Sequence, residues 1–97
     1  MIQGTRRDQI VRSALELSGV IGYQQITSQS VANRAKCSSA LVRLYFDGPS
    51  LKDAVMVAAV ETERLRVVAQ GMACGHPLAL AAPRDLRERA AYSLLTE

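Results

Sequence analysis

Residues 30–46, SVANRAKCSSALVRLYF, decide how this chain folds. Val31, Ala32 and Ala35 fall on one side of a helix over 28–35, which Thr27 is placed to cap. The chain then breaks tightly at Lys36-Cys37. Ser38 caps a second short helix over 39–46, with Val42 and either Tyr45 or Phe46 turned inward, and Gly48 and Pro49 oppose its continuation. Upstream, Thr5 and Asp8 form a capping-box-like pair for a helix from Arg6 to Gly19. Ile10, Ala14, Leu17 and Ile21 make its apolar stripe, widened by Val11 and Leu15. The connector GYQQIT, 22–27, packs Tyr23 and Ile26 and leaves its glutamines wet. Downstream, Ser50 caps a helix read as continuous from Leu51 to Met72, ~30 Å long. Its stripe is Leu51, Val55, Ala58, Ala59, Thr62, Leu65, Val68, Ala69 and Met72, with Glu61, Glu63, Arg64 and Arg66 partly solvated. A short apolar segment follows the break at CGHP, 74–77. A last helix after Pro83 then turns Leu86, Ala90 and Leu94 inward.

The expected fold is therefore all-α: three short helices, one long helix and a short C-terminal one. Length agrees, since 97 residues suit one compact domain. With three tyrosines and one phenylalanine, the core must be built from Leu, Val, Ile and Ala. Residues 1–46 carry six basic side chains against two acidic ones, whereas 47–97 are nearly balanced, six against seven. A basic front half suits a module that meets a polyanion with one end.

Other chemistries find little footing. Cys37 and Cys74, with no signal-like leader, read as reduced, packed thiols, and no spacing suits zinc. His76, the sole histidine, is read in a loop beside Gly75 and Pro77, with no clear acid or nucleophile partner beyond Cys74. No catalytic, cofactor or metal site is expected. No apolar run reaches membrane length, so a cytoplasmic protein that does not meet a membrane is expected.

The stretch 28–46 meets the physical demands of a helix-turn-helix. Ala32 is small where the second helix must cross the first closely. Lys36 stands at the turn, Cys37 and Val42 at the apolar anchors, and Ser39, Ala40, Arg43 and Leu44 on or near the face able to reach base edges. Residues 5 to about 58 also resemble the DNA-binding domain of TetR-type transcriptional repressors. The likeness is carried by TRRDQIVRSALELSGVIGYQQIT, SVANRAKCS and LYF. Three departures stand out. Lys36 replaces the family's turn glycine, Arg43 replaces its recognition-helix tyrosine, and FDGPSLKDAV is one residue shorter than its usual link.

The resemblance implies a sequence-specific, double-stranded DNA-binding regulator, a repressor acting as a homodimer on an inverted repeat. The helix-turn-helix region is expected over 1–48 and a helical dimerisation region over 49–97, the two forming one compact unit and a dimeric bundle. About 40 residues are too few for the family's ligand-binding domain, so no small-molecule inducer is expected. Arg43 is the expected base contact, through a guanidinium fork that matches guanine. Lys36, Ser38 and Ser39 are expected at phosphates around the helix N-terminus, with capping as the other reading of Ser38. Thr27, Ser28 and Gln29 are expected to touch the backbone, or again to cap. Ala40 and Leu44 complete the reading face. Tyr45 is read as packed inward, with phosphate donation as its second reading. Arg6 and Arg7 form an N-terminal arm or plain solvated charge. Two other functions stay open: an architectural, replication- or partition-associated DNA binder, and a helical protein-interaction module.

Overall fold

The computed structural model describes residues 6–46 and 48–95. All regular structure among them is helical: α1 Arg6–Ile21, a 3₁₀ turn Tyr23–Gln25, α2 Ser28–Ala35, α3 Ser39–Tyr45, α4 Gly48–Glu61, α5 Leu65–Ala73, α6 Pro77–Leu80 and α7 Arg84–Leu95. Thr5, the expected cap of α1, and Asp47 lie outside the described residues. None of the described helices is long and apolar enough to cross a membrane.

α1, α2 and α3 form the front of the molecule and α4 runs behind α1. Ile10, Ala14 and Leu15 of α1 meet Val31 and Ala32 of α2, Val42 of α3 and the aromatic ring of Phe46 in one continuous core. One inward expectation for α1 needs correcting: Ile21, in the last turn, is exposed, and Ser18, not expected inside, is fully buried. Its hydroxyl is satisfied by donating to the Ala14 carbonyl at 2.8 Å, the back-bond that lets serine sit inside a helix. α1 also runs two residues past Gly19, and Gly22 turns the chain out at φ 101°.

The helix read as continuous from Leu51 to Met72 is two helices. α4 starts earlier, at Gly48, so Pro49 lies in the first turn, where proline is tolerated. Ser50 is consequently inside the helix and not its cap. α4 then ends at Glu61 and α5 begins at Leu65. The break closes as a Schellman turn: the Glu63 amide donates to Val60 O at 3.3 Å and the Arg64 amide to Ala59 O at 2.9 Å. Glu63 takes the left-handed conformation, φ 57°, at a cost of ~1–2 kcal/mol for a residue with a Cβ. Packing offsets that cost. Turning back lets Val67, Val68 and Ala69 enter the core that α4 shares through Leu51, Val55, Met56 and Ala59.

α6 is a four-residue helix that the apolar segment after CGHP did not announce. α7 packs along α5, with Leu86 and Ala90 buried as expected. Leu94, expected inward, is half exposed and lines an open groove with Ala69, Met72 and Ala73 of α5.

Candidate nucleic-acid interface

The turn between α2 and α3 is built by short-range chemistry. Thr27 caps α2 by accepting from the Ser30 amide at 3.1 Å, while Ser30 Oγ accepts from the Thr27 amide at 2.9 Å. Lys36 closes the helix at φ 61°, ψ 47°, the left-handed position where glycine is usual. The next amide, of Cys37, donates back to Ala32 O at 3.0 Å. Ser38 then caps α3, its Oγ accepting from the Leu41 amide at 3.1 Å. Ala32 is fully buried in this corner, Val42 anchors α3 beneath it, and Cys37 packs at the edge of the core.

Anchoring through Val42 and Phe46 leaves Ala40, Arg43 and Leu44 outward, at i, i+3 and i+4 on one face. All three are exposed, Leu44 at 78 %. Among the described residues no carboxylate pairs with Arg43 or Lys36. Residues 27–46 contain three basic side chains and no acidic one. Arg34 differs from the other two, because Glu16 of α1 takes it up at 3.4 Å.

Of the two aromatics that end α3, Phe46 is the buried one at 4 % exposure, whereas Tyr45 is 44 % exposed. The inward reading of Tyr45 is therefore corrected: the residue is exposed, and Phe46 takes the core position. Arg7 is helical rather than part of an extended arm, and its guanidinium sits 4.9 Å above the Phe46 ring. Nothing in the sequence spacing signalled that contact, which joins positions 39 residues apart.

The structure thus gathers Lys36, Ser38, Ser39, Ala40, Arg43, Leu44 and Tyr45 on the turn and α3. Thr27, Ser28 and Gln29 lie at the far end of α2, ~12 Å of helix away. Thr27 and Ser38 are both occupied as caps. Gln29 donates to Asn33 Oδ1 at 3.0 Å along the exposed side of α2.

Behind this surface, Tyr23 ties the front helices to the rear ones. Its amide donates to Gln70 Oε1 at 2.6 Å and its hydroxyl to Lys52 O at 3.2 Å. The ring meets His76 edge-on, with centroids 6.0 Å apart. His76 was expected to lack an acidic partner. In the fold, Asp53 Oδ1 lies 2.9 Å from its Nε2, and Nδ1 accepts from the Leu78 amide at 3.1 Å. That pattern places the proton on Nε2 and makes His76 the cap of α6. The sequence could not show it, because Asp53 and His76 meet only when α5 turns back on α4.

Burial, with smaller contributions from Cys74 and Asp53, pushes the Tyr23 hydroxyl up from 10.0 to about 12. Between those values the folded state holds a proton that the unfolded chain has released, so stability falls as pH rises through the window. Alkaline unfolding is expected to begin near pH 10 and to be delayed in Tyr23→Phe. A circular-dichroism pH titration showing the same onset for both proteins would refute this.

Among the described residues no group of three or more His, Cys, Asp or Glu side chains is placed to hold a metal. Comparison of the chain with protein-family profiles, curated proteins and solved structures returns no match.

Proposed function

We propose that the chain is a sequence-specific DNA-binding regulator whose helix-turn-helix, α2 to α3, enters the major groove of duplex DNA. The supporting observation is the outward face of α3. Ala40, Arg43 and Leu44 stand exposed on a helix anchored from behind by Val42 and Phe46, in a stretch without a single carboxylate. Such a face offers guanine a bidentate donor and thymine an apolar contact. Lys36 and the hydroxyls of Ser39 and Tyr45 lie where they suit phosphates, which set register and not sequence.

Seven residues of recognition helix bury little surface, so two copies acting together suit the task. Each copy would read one half of an inverted repeat, spaced by one DNA turn (~34 Å) or a multiple. Occupancy of such an operator blocks other proteins, which makes repression the simplest outcome. The likeness of residues 5 to 58 to TetR-type repressors points the same way.

Selection from random duplex DNA tests the reading. Enrichment of an inverted repeat is expected, with affinity falling steeply as salt rises. Arg43→Ala should weaken preference at one base position by ~1–3 kcal/mol. Equal loss on every sequence would recast Arg43 as a phosphate contact. Binding that no salt concentration changes, or none at all, would remove DNA and leave Leu44 as the anchor of a protein-interaction module.

A further inference from the structure

The bend between α4 and α5 has no local cause. Residues 50–70 contain neither glycine nor proline, and the sequence reads as one helix through Thr62, Glu63 and Arg64. Yet the chain reverses there on a non-glycine residue at φ 57°. Among the described residues, two other turns of this type place Gly75 and Lys36 at the same position.

A side-chain ion pair spans the bend, whereas the bond from Thr62 Oγ1 to Ala58 O, at 2.7 Å, is an i to i−4 back-bond that a straight helix would keep. Arg89 of α7 reaches Glu63 Oε1 at 3.1 Å and Asp85 Oδ2 at 3.1 Å, all three side chains being substantially exposed. Exposed pairs of this kind are weak clamps. Beyond the backbone bonds of the turn, the bent form is favoured by contacts of α5–α7 with α4 and the 3₁₀ turn: Gly71 against Met56, the Tyr23 amide on Gln70, and Asp53 on His76.

We propose that this hinge opens, that α4 and α5 join into one helix from Gly48 to Ala73, and that two copies then exchange α5–α7. In the exchanged dimer the partner supplies each of those packing contacts unchanged. What differs is the hinge, which loses its left-handed residue and gains helical hydrogen bonds. A short strained link between units that pack well is the setting in which such exchange costs least. The second copy is the occupant because only it carries the surface that the opened core of α1 and α4 lost. The exchange gives the dimer of the proposed regulator a physical form, but it stands on the hinge and not on DNA recognition.

Spin labels test it on the full chain without DNA, so its failure is separable from failure of DNA binding. Val57 and Cys74 are both exposed. A Val57→Cys, Cys37→Ala protein labelled at positions 57 and 74 is refolded with excess unlabelled chain, so that one label pair sits in each dimer. A straight helix separates the two positions by ~26 Å. The bent form, with Gly71 seated on Met56, gives a far shorter separation. The expected result is a dimer fraction with the long separation. Glu63→Gly, which relieves the bent hinge and weakens the straight helix, should lower the dimerisation constant by at least ~10-fold. Glu63→Ala, which removes the Arg89 pair and favours the helix, should raise it. A dimer showing only the short separation, a chain monomeric up to millimolar concentration, or identical constants for the two Glu63 variants would each overturn the proposal.

Discussion

Replacing Tyr23 with alanine is expected to destabilise the fold by ~3–5 kcal/mol, the range for deleting a buried aromatic. The side chain is 2 % exposed and sits where the front and rear of the molecule meet. Its loss removes the ring that packs against His76 and lies beneath the Lys52 ammonium, 5.9 Å from the centroid. It also strips Lys52 O of a donor. Tyr23→Phe keeps the ring and gives up only that hydrogen bond, for ~0.5–1.5 kcal/mol. Urea denaturation measures both. A loss below ~1 kcal/mol for Tyr23→Ala would show that the connector repacks without its ring and does not join the two halves.

The second large effect is expected at Gly71, where α4, α5 and α6 converge. A Cβ there would lie 2.9 Å from Ala79 Cβ and 3.0 Å from Met56 Sδ, with Met56 Cε closer still. Glycine inside a helix costs ~1 kcal/mol relative to alanine, and here it is kept by lack of space. Gly71→Val should cost ~3 kcal/mol, at the upper end of overpacking penalties because the helix backbones on both sides are fixed. Met56 is unbranched and can yield, whereas Ala79 cannot. Met56→Ala should therefore recover part of the loss when combined with Gly71→Val. Additive losses in that double-mutant cycle would mean that Met56 is not the obstacle.

The packing of Tyr23 and Ile26 was legible in the sequence, whereas Gly71 lies in the region that the sequence read worst, and the reason is physical. Positions 27–46 are governed by interactions a few residues long: Thr27 with Ser30, Ser38 with Leu41, Lys36 and Cys37 with the last turn of α2. Such signals survive in a linear reading, and the caps, the break and the burial of Val31, Ala32 and Val42 were all legible there. Tyr45 and Phe46 were not separable, because neighbouring aromatics at a helix end differ only in what covers them. Phe46 has Arg7 above it and the shared core below.

Composition, periodicity and capping were enough to determine an all-helical chain with two short helices joined at Lys36 and an outward face of Ala40, Arg43 and Leu44. Only the tertiary structure decided that the rear helix folds back at Glu63, that His76 caps α6 against Asp53, and that Gly71 is a point of contact. Each of these sets a local cost, a strained backbone or a poor helix former, against burial that exists only once distant segments have met.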